Sequence, residues 1–164
     1  MKRVAVYVIM GICLLTIESS FLSFLPVDFF KPDLGIPLVM YTAFFLGPPI
    51  GLLTSLCIGF IQEIFSNAPH GAIVFTKISL FLIAMFLKNK LYIESKYSFA
   101  LICSGSVIIE SFLFLLLSYF SRGEIANAFN ILFYAIPNAI FTGLFSMFIL
   151  NFINCVNMKF FSED

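Results

Sequence analysis

Six apolar runs, each closed by a short polar or Pro/Gly-rich break, organise the chain from end to end. The first, VAVYVIMGICLLTIESSFLSFL, covers residues 4–25 and follows the basic pair Lys2 and Arg3. It is longer than the roughly 7–15 apolar residues of a cleaved signal, and no small-residue cleavage motif follows, so it predicts a retained transmembrane helix. The break PVDFFKPD leads into residues 34–46, LGIPLVMYTAFFL, which is short against the roughly 17–25 residues of a span. That segment is either a short span extended by the residues before it or a re-entrant piece. Pro37 falls in its first turn, where proline is tolerated. The turn at Gly47, Pro48 and Pro49 opens a third segment, 50–65, and the loop SNAPHG separates it from a fourth, 72–87. A charged connection with Lys88, Lys90, Glu94 and Lys96 precedes a fifth segment, 97–120; SRGEIANA precedes a sixth, 129–153, broken only by Pro137. The pattern predicts an all-α membrane protein, with one integral membrane domain over residues 1–164 built as a six-transmembrane-helix bundle.

Composition agrees. Of 164 residues, 61% are hydrophobic and 11% charged, with a mean hydropathy of +1.07, against about 45–50% apolar and about 25% charged in soluble domains. Net charge is zero with no basic patch, which argues against a nucleic-acid partner. Lys2, Arg3, Lys88, Lys90, Lys96 and Lys159 fall on one side of the bundle, and Lys31 and Arg122 on the other. By the positive-inside rule both termini are expected in the cytoplasm. Cys13, Cys57, Cys103 and Cys155 each lie inside an apolar run without metal-ligand spacing, so they are expected as small buried hydrophobes.

Charge inside the apolar runs is the unusual feature. Glu18, Glu63, Lys77 and Glu110 all lie within expected spans, and an intramembrane ionisable group marks a paired contact or a functional site. At about 1.5 Å rise per residue, Glu18 lies about 20 Å up the first helix and Lys77 about 8 Å into the fourth. All four fall at or above the midplane on the outer side. Gly51, Ser55 and Glu63 recur with Gly59 at every fourth position, a ridge of small residues that lets a neighbouring helix approach and aims Glu63 into a helix contact. Gly11 and Glu18 share a face of the first helix, Ser106 lies one turn before Glu110, and Asn138, Thr142 and Ser146 form a stripe on the sixth. Within GFIQEIFSNAPHG, the break at Pro69 and Gly71 permits a tight hairpin, and across it Glu63 and Lys77 are expected to form an ion pair. Packing alone accounts for the ridge, and pairing for two of the charges.

Signals for catalysis are missing. Asp28, Asp33 and Asp164 are the only aspartates, and none falls inside an expected span. His70, the sole histidine, sits in a turn between Pro69 and Gly71, which excludes a His-Glu-x-x-His zinc site. No Gly-rich phosphate loop is present, so the sequence points to no enzyme, no cofactor and no metal.

One stretch carries a resemblance. PDLGIPLVMYTAFFLGPPIGLLTSLCIGFIQEIFSNAPHGAIVFTK, about a quarter of the chain, resembles the core of the rod shape-determining protein MreD family. That family shows an extended Pro-Asp before a hydrophobic helix, a Gly-Pro turn, a Gly-spaced helix ending in an acidic residue, and a Pro-x-Gly-like turn opening the next helix. The matching positions are Pro32 and Asp33, Gly47 and Pro48, Gly51 and Gly59, Glu63, then Pro69 and Gly71, with Lys77 beyond. A departure is Glu63, where the family commonly has Asp. The resemblance implies a fold similar to the substrate-binding membrane components of energy-coupling-factor vitamin transporters. It also implies a non-enzymatic scaffold role in cell elongation at the bacterial inner membrane. The implied partners are an MreC-like single-span protein, the SEDS glycosyltransferase with its penicillin-binding transpeptidase, and indirectly MreB. Hydropathy also permits a solute-binding membrane component of a vitamin-type transporter, with the outer polar cluster as its pocket.

Overall fold

The computed structural model describes residues 2–24, 32–66, 70–91, 93, 95–122 and 128–161. These form helices and connections, with no strand among them: α1 (Lys2–Phe24), α2 (Gly35–Tyr41), α3 (Pro48–Ile64), α4 (Ala72–Leu87), α5 (Lys96–Arg122) and α6 (Ala128–Phe161). Two stretches, Lys96–Phe120 and Ile131–Met158, are long and apolar enough to cross a membrane; Ala5–Ser20, Gly35–Leu46, Pro48–Ile64 and Ala72–Leu87 are shorter apolar helices. Pro69, Lys31 and Glu94 lie outside the described residues, as do the side chains of Lys2, Arg3, Arg122 and Lys159.

The shortest apolar segment is the innermost. Every residue of α2 is buried, in keeping with a helix that is apolar all round. A wider π turn, Thr42–Leu46, continues it to Gly47, whose φ of 95° is a conformation open to glycine at little cost. Pro48 and Pro49 then start α3, where a missing N–H costs nothing because first-turn donors have no partner in the helix. Ile36, Leu38 and Val39 of this central segment meet Leu80, Phe81, Phe99, Cys103 and Ile153 in one core.

Small residues set the close approaches. A Cβ at Gly59 would come within 2.9 Å of the Val74 backbone, and one at Gly51 would collide with the Phe81 ring. The Gly51, Ser55 and Gly59 face of α3 is thus packed on α4. A Cβ at Gly11 would meet Ile58 at 3.2 Å and Leu38 at 3.3 Å, and one at Gly143 would strike the Ser104 hydroxyl, which brings α1 onto α2 and α3, and α6 onto α5.

Two expectations need correction. The sixth helix runs to Phe161, beyond the expected end at 153. Asn154 and Asn157 end the apolar run without ending the helix, because Asn157 is held by Tyr7 and Tyr41. The cysteines also divide: Cys103 is buried, Cys57 half-buried, and Cys13 and Cys155 exposed. The outward faces that carry the latter two also carry Ile12, Ile17 and Phe152. An apolar neighbourhood in this sequence therefore does not separate inside from outside.

Candidate functional site: a buried ion knot

The helix starting at Gly35 leaves N–H groups that have no acceptor within the helix. Asp33 supplies one: its Oδ1 accepts from the Gly35 N–H at 2.8 Å and the Ile36 N–H at 3.2 Å, in the manner of an N-capping aspartate. The same oxygen accepts from Gln62 Nε2 of α3 at 2.9 Å, and the Asp33 N–H donates to Thr142 Oγ1 of α6 at 3.1 Å. Its other oxygen pairs with Lys77 of α4. The lysine side chain is fully buried and also pairs with Glu110 Oε1 of α5 at 2.7 Å. From α1, Glu18 Oε2 accepts the Leu34 N–H at 3.0 Å.

Each helix therefore contributes one polar group to the knot: Glu18, the N–H groups that begin α2, Gln62, Lys77, Glu110 and Thr142. A buried ammonium is tolerable only when paired and hydrogen-bonded, and two carboxylates meet that need here. Gly35 makes room for it. A Cβ there would lie 3.0 Å from Asp33 Oδ1 and 3.2 Å from Gln62 Nε2. Gly59 serves the lysine, since its missing side chain lets the Lys77 stem lie against α3, 3.4 Å from where a Cβ would stand.

Glu63 does something other than pair with Lys77, and that expectation is corrected. Its carboxylate accepts from the Gly71 N–H and, at 3.3 Å, from the Val74 N–H. These belong to the residue capping α4 and to its first turn, where donors are unsatisfied and an anion is favoured by the helix dipole. Gly71, at φ 84°, bends the chain so that these donors face Glu63. Lys77 instead lies turned toward Asp33, a residue that the hydropathy pattern set outside the spans.

The remaining candidates fall around the knot. Pro32 is buried beside Asp33 and Asn138 is half-buried one turn before Thr142; Ser106 and Ser146 are buried and donate to the carbonyls of Ile102 at 2.7 Å and Gly143 at 2.6 Å. His70 is exposed in the turn before α4. Gln62 carries no charge to mark it in the sequence. The one legible sign of Asp33 as a site is its place immediately before the apolar run that opens at Leu34, the position of a helix cap.

A second polar node ties the other end of α1. Tyr7 donates to Asn157 Oδ1 at 2.5 Å, Asn157 Nδ2 donates to the Tyr41 hydroxyl at 2.7 Å, and the two tyrosine rings lie 6.3 Å apart. Among the described residues no group of His, Cys, Asp and Glu side chains is arranged to hold a metal ion. The carboxylates of the ion knot are engaged by an ammonium or by N–H donors, which is an arrangement for holding helices together. Comparison with protein-family models, with curated proteins and with solved structures finds no match for the chain.

Proposed function

We propose that the chain is a multi-pass protein of the bacterial inner membrane, with both termini cytoplasmic, that serves as a non-enzymatic scaffold of the cell-elongation complex in the manner of the MreD family. The observation that carries the reading is the knot itself. Motif positions Asp33, Gly59 and Lys77 converge with one group from every other helix, and Glu63 with Gly71 closes the adjoining hairpin. Most of their polar groups are engaged in internal bonds, which suits a rigid platform for partner helices better than a pocket for a solute. The outward surface is rich in large apolar side chains, among them Phe86, Leu101, Phe120 and Phe148, as lipid and partner spans require.

In a rod-shaped host, depletion should round the cells while the purified glycosyltransferase and transpeptidase keep their activities. The chain should co-purify in mild detergent with an MreC-like single-span protein. Normal rods after complete deletion, or purification without that partner, would overturn the scaffold reading. Topology is tested separately by cysteine-accessibility labelling on a cysteine-free background. A probe at Ser95 should label only from the cytoplasmic side and one at Asn127 only from the outside.

A further inference from the structure

The charges in the knot do not balance. Asp33, Glu110 and Glu18 bring three carboxylates to one ammonium, that of Lys77. Asp33 has the ammonium and three N–H donors, and Glu110 has the ammonium at 2.7 Å. Glu18 has the Leu34 N–H, and no ion pair to it occurs among the described residues. A third full negative charge in this interior would lie beside Asp33 without a cation of its own among the described residues, which costs far more than a neutral acid.

A second observation lies across the same cluster. Gln62 Oε1 is buried with no donor against it among the described residues. The amide cannot simply be turned over, because its NH₂ is committed to Asp33 Oδ1 and the reversed amide would set oxygen against carboxylate. Among the described residues the cluster thus holds an acid with no ion pair and an acceptor lacking a donor.

We propose that the knot is a binding site for one proton, carried by Glu18. The proton comes from solvent water. Its uptake forms an O–H bond on Oε1 of Glu18 and leaves Oε2 to keep the Leu34 N–H. The resulting hydroxyl is the class of donor that Gln62 Oε1 lacks, and the net negative charge of the cluster falls by one. Glu18 is the least enclosed of the three acids in sequence position, near the outer end of α1, and is only partly buried. Among the described residues, the charged groups that face it are Asp33 at the start of α2, Lys77 of α4 and Glu110 of α5. The contributions of α3 and α6, Gln62 and Thr142, are neutral, and Glu63 is turned away onto α4. The site stands apart from the scaffold reading and survives a failed co-purification.

Infrared difference spectroscopy of the purified full chain in lipid nanodiscs, titrated with pH, reads the proton directly. The carbonyl stretch of a protonated carboxylic acid lies clear of carboxylate and amide bands. The expected result is such a band at neutral pH, shifted in D₂O, reversibly lost at high pH, absent in Glu18→Gln and retained in Glu110→Gln. Glu18→Gln mimics the neutral acid and should accumulate like wild type. No band at neutral pH, a band that persists in Glu18→Gln, or one lost equally in Glu110→Gln overturns the assignment. So does failure of Glu18→Gln to accumulate, which would mean the site needs the charge. A band that appears only when sodium is replaced by an organic cation would make this a metal-cation site instead.

Discussion

Two helical hairpins in this molecule are held together by different chemistry. The α3–α4 pair is short, 17 and 16 residues, and is organised around charge. Glu63 caps α4, Lys77 passes over Gly59 to reach Asp33 and Glu110, and the two backbones nearly touch at Gly59 and Val74. The α5–α6 pair is long, 27 and 34 residues. Three of its hydroxyls turn back onto their own helices, Ser104 to Ala100, Ser111 to Val107 and Ser146 to Gly143; Glu110 and Thr142 reach out to Lys77 and Asp33, and apolar packing joins the two helices to each other. Helices long enough to span a bilayer can rely on extended contact, whereas a short pair gains more from a few strong, directional bonds. Outside those bonds, the α3–α4 hairpin rests on the close approach along Gly51, Ser55 and Gly59.

The sharpest way to break the comparison is at Lys77. Lys77→Ala strands Asp33 and Glu110 without their cation, and removing one partner of a buried pair costs about 3–5 kcal/mol. Membrane abundance and thermal stability in detergent should collapse, and Lys77→Met combined with Asp33→Asn and Glu110→Gln should recover much of the loss. If Lys77→Ala were as stable as wild type, the hairpins would not differ in kind.

Next comes Gly59→Ala, which presses a methyl onto the Val74 backbone. Overpacking of this sort costs about 1–3 kcal/mol. Gly143→Ala strikes the Ser104 hydroxyl first, with the Ala100 carbonyl oxygen next at 3.3 Å, so it should be milder, and Ser104→Ala should rescue most of it. Thermal unfolding of the three variants in one detergent measures the contrast; equal shifts for Gly59→Ala and Gly143→Ala would erase it.

Glu63→Ala removes a cap and not an ion-pair partner, so its cost should be about 0.5–2 kcal/mol, clearly less than that of Lys77→Ala. Matching losses at the two positions would restore the direct pairing that the structure replaces. The smallest effect belongs to α5. A methyl at Gly105 meets nothing within 4 Å, so Gly105→Ala should raise thermal stability slightly, by up to about 1 kcal/mol through helix propensity. A clear loss there would reveal a contact on that face that the isolated chain does not show.

Much of the helix layout was legible, because apolar runs broken by proline, glycine and charge carry it locally. The segment at 72–87 coincides with α4 at both ends. The end of α6 was not legible, since Asn157 continues the helix through bonds to Tyr7 and Tyr41 on remote elements. Glu18, Lys77 and Glu110 stood out at once as charges in apolar surroundings. Asp33 and Gln62 did not, the first lying in a polar break and the second carrying no charge.

The sequence by itself determined that this chain is helical, strongly apolar and marked by a few interior ionisable groups, because composition and periodicity are properties of neighbours along the chain. Only the tertiary structure decided which acid meets Lys77. That choice depends on where α2 starts within the bundle, on the room left at Gly35 and Gly59, and on the demand of the α4 terminus for an anion. The chain draws Asp33 from an apparent loop into the centre and leaves Glu63 at the cap, because burying the lysine requires partners at its own depth, and depth is set by the packing of all the helices together.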